Sequence, residues 1–186
     1  MSLSMRGSFR LLVVPALLSL SGCGYHTLGS AAHLPDSVHT LSVPIFKNKT
    51  QFYHTEASIT QAVIQEFTGR TRLQVVTNPD GADATVSGTI LFESVQPLTY
   101  RTETTAATQN GQTTSVTSSF LITLNVNVVV TDRDKRILYQ HNNYIFHEQF
   151  ETTTDVSSFI QEDSPAVERL SRDFARTLVS DILESF

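Results

Sequence analysis

The chain has one cysteine and few basic residues, and each shortage excludes a class of protein. Cys23 has no second cysteine to pair with among the 186 residues, so an internal disulfide is impossible. The 13 Lys and Arg residues are outnumbered by 18 Asp and Glu, and they are scattered along the chain. A basic face for nucleic acid is therefore excluded. After residue 20, no run of apolar residues reaches the length of a transmembrane helix.

The residue patterns that support catalysis are missing as well. The six histidines show no metal-ligand spacing on a helix, and the one pair weighed as transient ligands, His141 and His147, is expected at surface or half-buried positions of a strand. No Gly-x-Ser-x-Gly elbow and no glycine-rich phosphate loop occur. Three acids, Glu148, Glu151 and Asp155, cluster where a strand ends, and solvated carboxylates are ordinary there. We therefore predict a protein without enzymatic activity, metal or cofactor.

The start of the chain has the order of segments that is typical of a secretory signal peptide. Arg6 and Arg10 precede an apolar stretch over residues 11–20, and two small residues then lead to Cys23. The stretch is too short to be a stable membrane anchor. The letters LSGC, which end at Cys23, are similar to a bacterial lipobox, which implies cleavage before the cysteine and lipidation of its thiol. The alternative is an ordinary secreted protein with a buried cysteine.

These features divide the chain into three predicted parts. Residues 1–22 are the lipoprotein signal peptide, residues 23–36 a lipidated N-terminal tether, and residues 37–186 one α/β domain. Removal of the signal takes away two arginines and no acid, so Lys and Arg fall from 13 to 11 and the net charge moves from −5 to −7. We expect a protein that is held at the membrane by its lipids and does not span it.

The first half of the domain predicts a strand followed by a helix. Residues 38–45 come close to strand alternation, and Pro44 indicates an edge position or the end of pairing. Residues 54–68 have apolar side chains at helical spacing, and Gly69 follows as a stop. The inward residues of this strand are predicted to be Val38, Leu41, Val43 and Ile45. Those of the helix are predicted to be Ile59, Ala62, Val63 and Phe67.

The second half predicts further strands and a final helix. A short strand-like stretch occurs at 73–77, and a longer one alternates small or apolar residues with polar ones from Ala84 onward. Residues 120–131 have the clearest period of two, with the even positions apolar. The charged run 132–136 predicts a turn, after which residues 137–150 return as a strand.

A helix closes the chain. Ser164 is predicted to cap it, with Pro165 in the first turn. Its apolar stripe consists of Val167, Leu170, Phe174, Leu178, Ile182 and Phe186. The order of elements predicts an α+β fold, a two-layer sandwich of two helices packed on a mainly antiparallel four-stranded sheet with a long protruding hairpin.

The segment from Tyr100 to Phe120 is rich in Thr, Ser, Gln and Asn and has almost no core-forming residue. One interpretation is a flexible, low-complexity loop. The other is a hairpin closed by Asn110-Gly111, the preferred pair in a type I′ turn. In that case residues 112–131 form one strand about 65 Å long, whereas the first helix covers only about 22 Å of sheet.

A hairpin of this length requires a partner, because an isolated two-stranded ribbon is marginally stable in water. Hydroxyl and amide groups do not suit lipid tails, but the interior of an outer-membrane β-barrel is itself polar. We hypothesise that the hairpin inserts into such a barrel. The predicted partner-binding residues are Arg101, Gln109, Asn110, Gly111 and Gln112.

Six stretches of the mature chain resemble the lipopolysaccharide-assembly lipoprotein family, LptE. In order they are CGYHTLG, LSVPIFKNKT, TEASITQAVIQEFTGRTRLQVV, ADATVSGTI, VVVTDRDKRILYQ and AVERLSRDFARTLVSDILESF. The resemblance implies an LptE-like domain seated as a plug inside a large, LptD-like outer-membrane barrel. This pair would place lipopolysaccharide in the outer leaflet, and the lipoprotein would also help its barrel to assemble. Gly24, which follows the lipidated cysteine, is compatible with sorting to the outer membrane, so the expected location is the periplasmic side and the barrel lumen.

The family resemblance also implies contacts between basic residues and lipid phosphates. Arg101 is the one cation between residues 100 and 118, and Arg133, Lys135 and Arg136 are the other candidates. For each of them a solvated surface position is the alternative. The competing function is a periplasm-facing lipoprotein that binds another target, such as an activator of a cell-wall synthase. A plug would have its hairpin buried in a barrel, whereas a binder of a soluble target would leave it exposed to protease.

Overall fold

The three long strands lie between the two helices along the chain. The structure is a computed structural model that describes residues 35, 37–105, 112–152 and 156–185. Neither helix in these residues has a stretch long and apolar enough to cross a membrane. The elements are β1 (Thr40–Ser42), β2 (Lys47–Asn48), α1 (Thr55–Arg70), β3 (Gln74–Val76), β4 (Ala84–Thr105), β5 (Gln112–Asp132), β6 (Ile137–Glu151) and α2 (Val156–Glu184).

The strands form one mixed sheet in the order β3-β1-β4-β5-β6, and β2 also pairs with β4. β4, β5 and β6 are antiparallel neighbours, whereas β1 and β2 run parallel to β4. The predicted α+β class and the two-helix layer are confirmed, but the prediction of a mainly antiparallel sheet of four strands was wrong, because the sheet has six strands and is mixed. The strand that the sequence pattern did not predict is β2, since 2 residues are too few for an alternating pattern to be recognised.

One face of the sheet is covered by the helices, and β5 shows the division most clearly. Its even positions from Ile122 to Val130 are all buried, while the odd positions between them are partly exposed. The predicted period of two in this strand is confirmed. Because paired residues of neighbouring strands share a face, Val86 and Ile90 of β4 and Tyr144 of β6 complete the layer under the helices.

α1 confirms the predicted helix and its inward side, since Ile59, Val63 and Phe67 are fully buried. It continues to Arg70, so the prediction that Gly69 stops it was wrong. The helix ends when Thr71 becomes extended, and the N–H of Thr71 still donates to the carbonyl of Phe67 at 2.9 Å.

α2 begins at Val156, so the prediction that Ser164 caps it was wrong. Pro165 lies inside the helix, where its ring removes one intrahelical N–H. A Ser-Pro pair that suits a first turn therefore misled the prediction. The predicted apolar stripe is confirmed at Leu170, Phe174, Leu178 and Ile182, which are buried; Val167 is partly buried and Phe186 lies outside the described residues.

Phe46, and not its neighbour Ile45, points inward and connects the sheet to both helices. Ile45 was predicted to point inward, but it is 64% exposed, whereas Phe46 is 2% exposed. The chain leaves strand geometry after Ser42 and passes through Pro44, which shifts the alternation by one residue. The backbone N–H of Phe46 donates to Thr60 Oγ1 of α1 at 3.0 Å, and its ring meets Phe174 of α2 edge-on at 6.2 Å.

Gly88 of β4 provides the space that the Phe46 ring occupies. A β-carbon at residue 88 would overlap the ring, which is 2% exposed and also packs edge-on against Phe174, so it has little space to move away. We expect Gly88→Ala to lower the free energy of unfolding by about 1–3 kcal/mol through overpacking. Urea unfolding of the detergent-purified protein measures this change.

The matched control is Gly69→Ala in α1, where a new β-carbon meets nothing within 4 Å. Because alanine is more favourable than glycine within a helix by about 1 kcal/mol, this variant should be as stable as the wild type or more stable. Equal losses in both variants would contradict the role assigned to the Phe46 ring.

Candidate functional site

A long two-stranded hairpin dominates one end of the sheet. β4 and β5 have 22 and 21 residues and pair from Ala84↔Asp132 to Thr105↔Gln112. β6 accompanies β5 only as far as Ser119↔Glu151. We call residues 99–105 and 112–118 the extended hairpin. The prediction of one strand over residues 112–131 is confirmed, and the pairing favours a hairpin over an irregular loop.

The start of the extended hairpin is held by hydroxyl groups. Thr99 Oγ1 shares hydrogen bonds with Ser118 Oγ at 2.8 Å and Ser119 Oγ at 2.6 Å across the two strands. The register shifts on both sides of Thr99, and such irregularities increase the local twist of a strand pair. The side chain of Tyr100 is exposed at the same level.

The predicted hairpin residues fall only partly within the described chain. Gln109, Asn110 and Gly111 lie outside the described residues, so the type I′ turn stays a prediction. Gln112 is the first residue of β5 and pairs with Thr105, and Arg101 pairs with Val116 and is partly buried.

Glu93 is a buried carboxylate at the base of the hairpin. It is 7% exposed, and Thr55 Oγ1 donates to its Oε1 at 3.0 Å. Thr55 is the first residue of α1, so the carboxylate lies where a helix dipole favours negative charge. This contact joins β4 to the helix layer just before the hairpin begins.

The sequence pattern missed Glu93 because a bulge changes which side chains point inward. The register shifts between Ile90 and Phe92, after which Glu93 faces the helices and Phe92 is 50% exposed on the other side. An uninterrupted period of two that buries Ile90 would also bury Phe92, but the extra residue Leu91 shifts the alternation by one. The available signal in the sequence was the run of three consecutive apolar residues, Ile90 to Phe92, which breaks the period of two.

The basic candidates at the β5–β6 turn lie far from Arg101. Arg133, Lys135 and Arg136 are beside Asp132, which pairs with Ala84, whereas Arg101 is 17 residues further along β4. At ~3.3 Å per residue this separation is about 55 Å. The four predicted phosphate contacts therefore do not form one site.

The two arginines of this turn are paired with carboxylates. Arg136 donates from Nε to Asp132 Oδ2 at 2.8 Å and from Nη2 to Asp134 Oδ2 at 3.2 Å. Arg133 donates from Nη2 to Asp83 Oδ1 at 2.7 Å. Hydrogen bonding by Arg136 outweighs partial desolvation and holds the pKa of Asp132 below its usual value. The turn is thus nearly neutral as a unit.

Asp83 joins this turn to the start of the domain. Its Oδ2 accepts hydrogen bonds from the backbone N–H groups of His39 at 3.0 Å and Thr40 at 2.9 Å, while Oδ1 accepts from Arg133. The two backbone donors are the main reason that the pKa of Asp83 lies below its ordinary 3.8, and the charge of Arg133 adds to the effect. Sequence analysis missed Asp83 because its partners are 43 and more residues away.

A chain of phenol groups connects β6 to α2 in the interior. The hydroxyl of Tyr144 donates to Asp181 Oδ2 at 2.6 Å and lies 2.6 Å from the hydroxyl of Tyr139. Desolvation is the main cause of a raised pKa for Tyr144, so this phenol stays protonated. Its ring packs edge-on against Phe174 at 5.8 Å, which indicates a role in packing. Within the described part of the chain, no three His, Cys, Asp or Glu side chains converge as metal ligands.

The fold and the hairpin define the class of protein: a two-layer α+β domain that carries an extended two-stranded arm. Residues 38–182 match the LptE family, described as lipopolysaccharide-assembly, and the chain belongs to this family. The resemblance noted in the sequence is therefore confirmed. A search among curated protein sequences finds no match.

Solved structures of three other proteins are similar in part to the structure of this chain. A putative lipoprotein from Caulobacter crescentus is 9% identical, with a TM-score of 0.46, 74% of this chain and 87% of that chain covered. Lipoprotein B from Nitrosomonas europaea is 12% identical, with a TM-score of 0.46 and coverage of 84% and 85%. A minor lipoprotein from Acinetobacter baumannii is 14% identical, with a TM-score of 0.44 and coverage of 78% and 93%. The family assignment rests on the sequence match alone.

The contacts of Asp83 predict an acid-dependent stability. Because its folded-state pKa is below the unfolded value, the carboxylate stabilises the fold above about pH 4 and loses this contribution as the pH falls through the lower folded pKa. We expect Asp83→Asn to be less stable than the wild type at pH 7, with a difference that shrinks toward pH 3. Urea unfolding midpoints between pH 7 and pH 3 measure this difference.

Asp80→Asn is the matched control, since Asp80 is an exposed acid in the same loop. This substitution changes the charge equally and should leave the midpoint nearly unchanged at every pH. A constant difference between Asp83→Asn and the wild type across the pH range would contradict the assigned role of the carboxylate.

Proposed function

We propose that this member of the LptE family is an outer-membrane lipoprotein that plugs and helps to assemble the β-barrel through which lipopolysaccharide reaches the outer leaflet. The observation that carries the proposal is the extended hairpin, which continues past the last residue pair between β5 and β6. A two-stranded arm of this kind is marginally stable alone, so a binding partner is expected to order it.

The chemistry of the hairpin matches the inside of a barrel better than lipid. Its described residues are mostly threonine and serine, and its charged residues are Arg101 and Glu103. Such side chains form hydrogen bonds with a polar lumen and would be costly in hydrocarbon. Strand pairing also satisfies the backbone groups of the arm, except along its outer edges.

The geometry of the domain suits attachment at one end and binding at the other. The chain enters the sheet at Thr40, and Leu41 pairs with Ala84 at the start of β4. The hairpin is at the far end of the same strand, about 70 Å away for 21 residue steps of ~3.3 Å. The chain that precedes β1 therefore joins the sheet at the end opposite the hairpin.

Lipidation of Cys23 is the first requirement of the proposal. We expect Cys23→Ser to leave the domain folded and to abolish acylation, because serine has no thiol to carry the lipid. Metabolic labelling with a palmitate analogue measures the lipid, and cell fractionation of a variant that also lacks the hairpin measures its contribution to anchoring. Labelling of Cys23→Ser, or retention of the double variant in the membrane fraction, would contradict this requirement.

The hairpin is the second requirement. A variant that lacks residues 100–117, with Thr99 and Ser118 joined by Asn-Gly, retains the helix layer and the buried part of the sheet. We expect it to be lipidated and stable but to lose the barrel that co-purifies with the wild type from native membranes. Mass spectrometry of affinity-purified complexes measures the amount of barrel.

The control shortens the hairpin by a single residue pair, Thr105 and Gln112, and should retain most of the barrel. If a cell-wall synthase co-purifies with the wild type in place of a barrel, the alternative binding function is correct. If a barrel co-purifies equally with wild type and deletion variant, the hairpin does not carry the interaction.

A further inference from the structure

The side of the sheet that faces away from the helices is continuous over β4, β5 and β6. The register identifies its residues, because paired positions share a face. We call them the open face. They are Thr85, Ser87, Thr89, Phe92, Ser94 and Gln96 of β4; Leu121, Thr123, Asn125, Asn127, Val129 and Thr131 of β5; and Ile137, Gln140, Ile145, His147, Gln149 and Glu151 of β6.

The open face has very little charge. Its ionisable positions are His147 and Glu151, both toward the hairpin end, and the neighbouring strand β2 adds Lys47 at the border beside Thr89. The remaining positions have hydroxyl, amide or aliphatic side chains and one aromatic ring.

The outer surface of the helices is different. It has several charged pairs at helical spacing, such as Arg70 with Glu66 and Arg172 with Glu168. Alternating charges of this kind are typical of a solvated surface. The domain therefore has one charged side and one nearly neutral side.

Exposed apolar residues are placed among the neutral polar ones. Phe92 and Ile145 are each 50% exposed and lie on either side of Asn125 in one row across the three strands. Asn125 donates to the side chain of Asn143 at 2.5 Å, and the N–H of Asn143 donates to Asn127 Oδ1 at 2.8 Å. Depletion of charge around aromatic and aliphatic anchors is the composition of a protein interface.

The open face continues into the extended hairpin on the same two strands. Gln96 pairs with Leu121 two steps before Thr99 pairs with Ser119. From Leu121 to Thr131 the three strands cover about 34 Å by about 14 Å, which is roughly 500 Å² of flat area. This area is below the ~800 Å² per partner of a stable complex, and the extended hairpin, about 23 Å by about 10 Å, brings the total to roughly 700 Å², close to that size.

We propose that the open face lies against the inner wall of the barrel that receives the hairpin, while the helices face the barrel lumen. This inference rests on the proposed function and specifies which side of the domain meets the barrel. The wall of a barrel lumen presents polar side chains in alternating rows, and a face with few charges can be buried on it at low desolvation cost.

The first test uses a photo-activatable amino acid in the full-length, lipidated protein in its native membrane. The probe replaces Ser87 on the open face, Tyr100 in the hairpin or Gln65 on the outer side of α1; all three side chains are exposed in the described structure. We expect cross-links to the barrel from positions 87 and 100 and none from position 65.

Each other outcome has a distinct meaning. Cross-links to the barrel from positions 100 and 65 but not 87 would overturn the inference and leave the proposed function intact. Cross-links from position 87 to a second copy of this chain would also overturn it. No barrel cross-link from any position, together with no barrel in the purified complex, would refute the proposed function itself.

The second test places a charge on each side of the domain. Ser87→Glu puts a carboxylate on the open face, whereas the control Gln65→Glu adds the same charge at an exposed position of α1. An unpaired charge buried in an interface costs several kcal/mol, so we expect at least about tenfold less co-purified barrel for Ser87→Glu. The control should retain wild-type amounts. Unfolding midpoints show whether both variants are folded, and equal retention of barrel by both folded variants would contradict the inference.

Discussion

The antiparallel pairing of β4 with β5 serves two parts of the molecule at once. Its first half lies under the helices, where Val86, Ile90 and the even residues of β5 form the buried layer. Its second half continues as the extended hairpin, with hydroxyl-rich strands that contain almost no core residue. Because the same pair of strands runs through both halves, the buried half holds the start of the hairpin in place, and the register continues from there with the shifts beside Thr99. The arm that we assign to partner binding is thus aligned by the core.

A single extra residue separates the chemistry of the two sides of the sheet. The register shift at Leu91 turns Glu93 toward α1 and Phe92 outward. The acid is accommodated because Thr55 and the first turn of α1 lie above it, and the phenylalanine becomes part of a neutral surface. At the other end of β4, Asp83 binds the start of β1 and Arg133 together. The carboxylates of Glu93 and Asp83 are therefore bound by other parts of the domain, and the open face stays nearly free of charge.

The elements with a strong local period could be predicted from sequence, and those defined by contacts could not. β5 and the stripe of α2 repeat apolar residues over 12 or more positions, so their inward sides follow from spacing alone. β2 is too short for a period and is defined by its pairing with β4, and β1 occupies only 3 residues of the strand predicted over 38–45. The true start of α2 was missed because Ser164-Pro165 suits a helix terminus locally, although the helix continues through it.

The sequence by itself determined the neutral, hydroxyl-rich character of the long hairpin, the alternation that pairs its strands, and the match to the LptE family over residues 38–182. These properties are local, since they depend on side-chain type and on spacing along the chain. Only the tertiary structure decided that Arg101 and the cations of the 133–136 turn lie at opposite ends of the sheet, and that two of those arginines are paired with carboxylates. The tertiary structure also decided that the open face is the side of the sheet with very few charges. The distance of Arg101 from that turn and the pairing of Arg133 with Asp83 arise from strand register and from contacts between residues far apart in the chain, and no local pattern encodes them.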